Sequence, residues 1–275
     1  IYPNASKAGH AAQWYGTDPA NVVTCPNPHD PRTVWRLSDD AAHFVSRFDL
    51  LTADIVQVYA ACATRRVDKG VGHLLRIFGK LKAKGLKVRL ILALANMTNV
   101  EIQSELRHEI SDAGLTTDEV IVPGFVDARF TQETPHSLVC ELARLSDVFL
   151  FTSAGEACPL TLIEAMQSGC LIGVNTAVPA MMEYKPPGAI EFLLPHQNNI
   201  AELSMTTKET AHSVAVPGSE KTITGEAAYD RQITTIAEAT INGLSRSHFY
   251  HSRKTAFRTF STEAIGARLD AIFSL

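Results

Sequence analysis

The chain has 275 residues, 45% of them hydrophobic and 20% charged, with a formal net charge of −4. That length can bury a large core in one or two domains, while the slight acidity argues against nucleic acid as the main partner. No apolar run reaches the length of a membrane span and no signal peptide is visible, so a transmembrane segment is not expected.

Five cysteines, Cys25, Cys62, Cys140, Cys158 and Cys170, are odd in number and widely separated, with the spacing of neither a disulfide framework nor a metal site. A reducing, cytoplasmic setting is the simplest account. The chain begins at Ile1 rather than Met, which leads us to expect a fragment with something upstream.

Residues 1–50 read as a linker segment rather than a domain. Ser6 to Tyr15 has the pattern of a short helix stopped by Gly16, and Asn21 to Cys25 that of a short strand before the turn-rich Pro26 to Pro31. After Asp54 a regular alternation begins. Ile55–Ala60 reads as a strand, and Gly70–Lys84 as a helix with Val71, Leu74, Leu75, Phe78 and Leu81 at helical spacing, stopped by Gly85. Strands follow at Val88–Leu94, Val120–Val122, Val148–Phe151 and Cys170–Val174, with helices at about Asn99–Ala113, His136–Leu145 and from Pro159. Near-continuous apolar strands separated by amphipathic helices predict an α/β fold, a Rossmann-like parallel sheet with helices on both faces. Ligands of such sheets bind beyond the carboxyl ends of the strands, where the loops at Thr64, Gly124, Ser153 and Asn175 should gather. Ile190–Leu194 reads as a last edge strand and Ser204–Glu226 as a polar, mobile loop. Ile233–Leu244 and Arg253–Phe273 are expected to be helical.

The stretch from Gly155 to Met166 concentrates the chemistry. Proline fits a first helical turn, so Pro159 is expected to open a helix whose free amides at Leu160, Thr161 and Leu162 point out of its N-terminus and attract an anion. Glu156 lies in the loop before it, and Glu164 about 7.5 Å further along the axis. An extended ligand such as a nucleoside diphosphate sugar could touch both. Equally, the pair could be one glutamate favoured by the helix dipole and one on a solvated face. In the loop after the first strand, Arg65, Arg66 and Lys69 bring three cations to the same edge, which suits a diphosphate or simply a solvated basic loop. His73 and His136 have no partner that the sequence reveals.

The string Ser153-x-x-Glu156, then Pro159-Leu160-Thr161-Leu162-Ile163-Glu164-Ala165-Met166 and Gly169, resembles the E-x7-E signature of retaining glycosyltransferases of the GT-B fold, family 4. The resemblance implies that Glu156 contacts the donor sugar as the catalytic carboxylate and that Glu164 binds the nucleotide ribose. It also implies that Lys69-Gly70 and an arginine hold the donor phosphates. At the family's usual arginine position this chain has Thr64, so Arg65 or Arg66 would substitute, with Arg66, three residues before Lys69, favoured. The Pro123-Gly124 turn corresponds to a loop that lies against the base, and Phe260-Ser261 resembles the family's C-terminal end. Thr176 to Glu183 departs from the family's Gly-Gly-x-Pro-Glu.

The reading that follows is the donor-binding half of a glycosyltransferase. Residues 1–50 form the linker segment, 51–245 the nucleotide-sugar-binding domain and 246–275 a helical tail, with an N-terminal acceptor domain absent. Donors would be UDP-, GDP- or ADP-sugars and the acceptor a hydroxyl of a glycan, lipid or small molecule. No cofactor or metal is expected, because Lys69, the arginines and the helix start would stabilise the leaving diphosphate. A non-catalytic nucleotide-sugar-binding module and a nucleotide-sugar epimerase are the alternatives.

Overall fold

The computed structural model describes residues 5–23, 25, 35–156, 159–196, 200, 204–211, 214–260 and 262–274. The chain divides into two compact units, Ile1–Thr52 with His248–Leu275, and Ala53–Ser247. The two terminal stretches, read separately from the sequence as a linker and a tail, thus belong to one unit.

In that first unit α1 (Ala5–Tyr15) ends at Gly16, whose φ of +61° is the left-handed conformation that glycine adopts without cost. Where a strand was expected over Asn21–Cys25, a 3-10 turn at Pro19–Asn21 takes its first residue and the other described residues, Val22, Val23 and Cys25, are not in a strand; the Asp18 carboxylate accepts the Ala20 N–H at 2.8 Å and Pro19 fixes the first φ of the turn. The turn-rich Pro26–Pro31 lies outside the described residues. Helix α2 (Asp39–Arg47) is capped by the Ser38 hydroxyl, has acids in its first turn and Arg47 in its last, and buries Ala41, Phe44 and Val45. The tail holds two helices, His248–Phe260 and Thr262–Phe273, where one was expected. Phe257 meets Trp35 edge to face at 5.4 Å.

The second unit carries the alternation. Its elements run β1 (Ile55–Cys62), α3 (Val71–Ala83), β2 (Val88–Ala95), α4 (Val100–Asp112), β3 (Val120–Ile121), a single helical turn at Pro123–Val126, α5 (His136–Ala143), β4 (Val148–Phe151), α6 (Leu160–Gln167), β5 (Leu171–Asn175), α7 (Pro179–Tyr184) and β6 (Ile190–Phe192). The strands form two parallel three-stranded sheets, β1-β2-β3 and β4-β5-β6, in a Rossmann-like α/β arrangement flanked by helices. Both faces are covered, so the strands are mostly apolar, with Gln57, Arg89, Asn175 and Glu191 as their polar positions. Helix α3 alone buries Val71, Leu74, Leu75, Ile77, Phe78 and Leu81, each contributing about 1.5–3 kcal/mol on burial.

Side chains join the two sheets where β1 and β4 run together. Gln57 is fully buried in β1, and its amide accepts the Leu150 N–H at 3.1 Å while donating to the Leu150 carbonyl at 3.2 Å. Asp147 accepts the Val56 N–H at 2.8 Å, its own N–H donates to the Val56 carbonyl at 2.8 Å, and the Ser146 hydroxyl accepts the Val58 N–H at 3.0 Å. Tyr59, Phe149 and Phe151 pack across the same join, with ring centroids 5.7–6.0 Å apart. Placed side by side, the strands take the order 3-2-1-4-5-6 of doubly wound nucleotide-binding sheets.

The polar stretch Ser204–Glu226, expected to be a mobile loop, contains an antiparallel hairpin, β7 (Ser204–Ala211) and β8 (Val214–Thr224). Thr206, Thr207, Thr210, Thr222 and Thr224 lie in it, and threonine is a strand former that a reading by hydrophobicity passes over. Helix α8 (Gly225–Ser245) follows and starts a full two turns before the expected Ile233.

Candidate functional site

Three loops meet beyond the carboxyl ends of β1, β4 and β6, around an open cleft of about 490 Å³ lined by Arg65, Asp68, Lys69, Ala154, Gly155, Glu156 and His196. Backbone bonds set the position of each loop. Gly70 precedes α3 at φ +67°, and a Cβ there would lie 2.1 Å from the Thr152 carbonyl oxygen, so only glycine lets the first loop approach the end of β4 so closely. Around that contact the Thr152 hydroxyl donates to the Gly70 carbonyl at 2.9 Å, the Ala154 N–H to the Asp68 carbonyl at 2.9 Å, and the Tyr59 hydroxyl to the Lys69 carbonyl at 2.8 Å. Burial pushes the Tyr59 phenol above its usual range, so it remains a donor.

Asn175, at the end of β5, ties the other two loops together. It is fully buried, donates to the carbonyls of Ser153 at 3.2 Å and Leu194 at 3.0 Å, and accepts the Leu194 N–H at 3.0 Å. His73, on α3, holds the segment that follows. Its Nε2 must donate to the Pro195 carbonyl at 2.9 Å, since a carbonyl only accepts, which leaves Nδ1 to accept the Tyr229 hydroxyl at 2.6 Å. Desolvation pulls its pKa down to about 4, so the ring is neutral at pH 7.

On this frame Lys69 Nζ contacts the Glu156 carboxylate directly, bringing together two residues 87 positions apart. The Ser153 hydroxyl is within reach of the same Glu156 oxygen at 3.4 Å, of the Gly155 carbonyl at 3.0 Å and of the Asp68 carbonyl at 3.3 Å. Asp68 lies between Arg65 at 3.7 Å and His196 at 3.4 Å. The cleft therefore holds two cations, Arg65 and Lys69, each beside a carboxylate. Asp68 and His196 were not singled out in the sequence. Asp68 adjoins Lys69 and was legible by position, whereas His196 enters through the fold alone.

The remaining residues sort less simply. Arg66 turns away from the cleft, a correction to the reading that gave it a share in phosphate binding. Its guanidinium contacts Glu105 and lies 3.2 Å from Glu109, both on α4, with only 11% of the side chain exposed. Gly124 sits in the helical turn after β3, beside the backbone of Phe130 and Thr131, and does not line the cleft. Pro159 occupies the N-cap of α6 rather than its first turn, with φ −83° and ψ +72°, and its carbonyl accepts the Leu162 N–H at 3.0 Å. Leu162 is thus not one of the outward amides expected, and Pro159, Leu160 and Thr161 do not line the cleft. The Leu160 side chain is exposed, and Cys158 lies outside the described residues.

Glu164 lies away from that edge, over the face of the sheet beside β1 and β4. One carboxylate oxygen is 2.9 Å from His136 Nε2, and with Thr161 it lines a narrow hollow of about 20 Å³ against Val58, Val139 and Phe149. The two glutamates of the E-x7-E string thus face different hollows. Burial, and the Glu164 charge after it, push the Cys140 thiol up.

No helix among the described residues is long and apolar enough to cross a membrane. No curated protein sequence matches the chain significantly. Among solved structures it is similar to a glycosyltransferase from Rickettsia africae, with 11% identity over 96% of this chain and 60% of that one and a TM-score of 0.48. It is similar to HepE from Anabaena in complex with UDP, with 15% identity over 100% of this chain and 63% of that one and a TM-score of 0.49. It is also similar to a UDP-forming trehalose-phosphate synthase from Burkholderia xenovorans, with 14% identity over 90% of this chain and 51% of that one and a TM-score of 0.48. The chain thus spans between half and two thirds of the length of each. The sequence profile described as "Glycosyl transferases group 1" matches residues 56–209, more than half of the chain and all within the second unit. The chain belongs to the glycosyl transferases group 1 family.

Proposed function

We propose that this chain is the donor-binding half of a retaining GT-B glycosyltransferase, and that the cleft between the loops after β1 and β4 takes the diphosphate of a nucleoside diphosphate sugar. The observation that carries the reading is the contact of Lys69 with Glu156 at the carboxyl edge of the strands, where two loops are locked together by backbone bonds. Before ligand arrives the Glu156 carboxylate supplies the negative charge beside Lys69. A diphosphate carries more charge and offers more acceptor oxygens, so it takes Lys69 over, with Arg65 as the second cation. Glu156 is then released toward the sugar, where a carboxylate stabilises positive charge developing at the anomeric carbon. The departing diphosphate, held by Lys69 and Arg65, accepts the proton of the acceptor hydroxyl on the same face, which retains configuration.

Glu164 keeps its proposed role at the ribose, with His136 as the neighbour that orients its carboxylate. Donor class remains a hexose on UDP, GDP or ADP, and the acceptor a hydroxyl met in a cleft with a second domain.

Calorimetric titration of the chain with UDP, GDP and ADP and with their sugars tests the reading. One nucleotide diphosphate should bind with measurable heat, and Lys69→Ala should weaken it about tenfold to a hundredfold, the ~1.5–3 kcal/mol of a charge-assisted hydrogen bond. Binding indifferent to Lys69→Ala, or no binding of any nucleotide, would remove the donor site from this cleft. In a form of the protein that transfers sugar, Glu156→Gln should abolish transfer; binding with no transfer by the unaltered residues would favour the non-catalytic module.

A further inference from the structure

His136 and Cys140 stand one turn apart on α5, at the i and i+4 positions that share a helix face, and Glu164 on α6 reaches the same point. Nε2 or Nδ1 of His136, Sγ of Cys140 and a carboxylate oxygen of Glu164 all lie within 4.8 Å of one another, the one such cluster of histidine, cysteine and acidic ligands among the described residues. We propose that these three side chains form a site for a divalent cation of the zinc class, with water as the fourth ligand.

Two of the ligand separations can be set against those that such an ion imposes. With Zn–S near 2.3 Å and Zn–N near 2.0–2.1 Å at a tetrahedral angle, the sulfur and nitrogen of two ligands stand about 3.6 Å apart. Cys140 Sγ and His136 Nε2 are 3.5 Å apart. A nitrogen and a carboxylate oxygen on the same ion stand about 3.4 Å apart. His136 Nε2 and Glu164 Oε1 are 2.9 Å apart, so half an ångström of opening admits the ion, and the His136 side chain is 71% exposed and free to swing that far. Thiolate and imidazole select zinc or cobalt over magnesium and calcium, which prefer all-oxygen sites. On binding, the thiol gives its proton to solvent, the imidazole is neutral and the carboxylate ionised, so the ligand set carries two negative charges against the two of the cation.

The site goes beyond the donor reading and meets it at one residue. A cation on Glu164 withholds a carboxylate oxygen from a ribose hydroxyl, so metal and nucleotide should weaken each other's binding by the same factor.

Cobalt(II) is the probe, since a thiolate ligand gives it a sulfur-to-metal charge-transfer absorption. Titrating the full chain with cobalt(II) should produce that band at one equivalent, and Cys140→Ser should lose it. His136→Ala should lower zinc affinity, read by calorimetry, by at least about tenfold. A wild-type chain without the band, or a band that survives Cys140→Ser, overturns the proposal. The cobalt spectrum needs no nucleotide, so the two readings fail separately. Cobalt bound through Cys140 but indifferent to UDP keeps the cation site and removes the ribose role of Glu164. UDP binding lost in Lys69→Ala, with no cobalt band in the wild type, does the reverse.

Discussion

The surroundings of Glu156 and Glu164 differ in what holds them. Around Glu156 the backbone is fixed at several points: the Gly70 approach to Thr152, the Tyr59 and Thr152 hydroxyls on the first loop, and the buried Asn175 amide between the loops after β4, β5 and β6. The Lys69 to Glu156 contact, with the Ser153 hydroxyl beside it, is between side chains. Around Glu164 the partners are two side chains of α5, His136 exposed and Cys140 partly so. A locked backbone holds side chains ready for a ligand that arrives pre-shaped, such as a diphosphate. A cluster of side chains on two helix faces adjusts by rotamer, which suits a small ion whose coordination distances do the ordering.

The first way to break this contrast is to unlock the cleft. In Gly70→Ala the new methyl would meet the Thr152 carbonyl at 2.1 Å, and an alanine would hold φ at +67°. Overpacking costs about 1–3 kcal/mol and the left-handed conformation roughly 1–2, so the variant should lose about 4 kcal/mol of stability in chemical denaturation. A loss below about 1 kcal/mol would mean that the two loops separate easily and that the cleft is not held by its backbone. The same substitution should leave the cobalt site untouched in whatever fraction stays folded.

The third wall of the cleft gives a pH test of smaller size. His73 is neutral when folded because desolvation holds its pKa at about 4, against 6.5 for the free side chain, with Arg76 and His196 pushing the same way and the Pro195 carbonyl opposing. Above pH 6.5 neither state binds the proton and the His73 contribution is whole. Between 6.5 and 4 the unfolded chain takes up a proton that the folded ring refuses, so stability falls with falling pH, by about 3 kcal/mol at most. Unfolding free energies measured at pH 7 and pH 4 should show that decline, and His73→Gln should flatten it by a comparable amount. An unchanged slope would place His73 in water and release Pro195 and His196 from α3.

The alternation of strands and helices was legible because it is local: α3 needs only apolar residues at helical spacing and a glycine on either side, and β1, β2 and β4 need only short apolar runs. Lys69 and Glu156 were legible too, as residue types in loops that an α/β sheet brings to one edge. The rest depended on contacts across long separations. Gln57 reads as an odd polar residue inside a strand until Leu150, 93 positions on, presents a backbone N–H and carbonyl to its amide. Spacing to Lys69 favoured Arg66 over Arg65, but the acids Glu105 and Glu109 of α4 draw Arg66 away and leave Arg65 in the cleft. His136 has a cysteine at i+4, a signal that could have been weighed, but the third member of the cluster, Glu164, is 28 residues distant. The hairpin at Ser204–Thr224 escaped because threonine-rich strands look like polar loops when burial alone is the guide.

The smallest expected effect bears on the Lys69 to Glu156 link inside the locked cleft. If a diphosphate and Glu156 compete for Lys69, removing the carboxylate charge should help the nucleotide. Glu156→Gln keeps the shape and the Ser153 hydroxyl within reach, but an amide holds the Lys69 ammonium far less strongly. Both side chains are partly exposed, and such a pair contributes about 0.5–1 kcal/mol, so nucleotide diphosphate affinity should rise about twofold to fivefold. The gain should shrink as salt is raised, because screening weakens the pair that the ligand has to displace. Affinity lowered by Glu156→Gln would mean that the carboxylate helps to hold the nucleotide instead of giving up its lysine, and the exchange of partners would have to be abandoned while the cleft itself stayed in place.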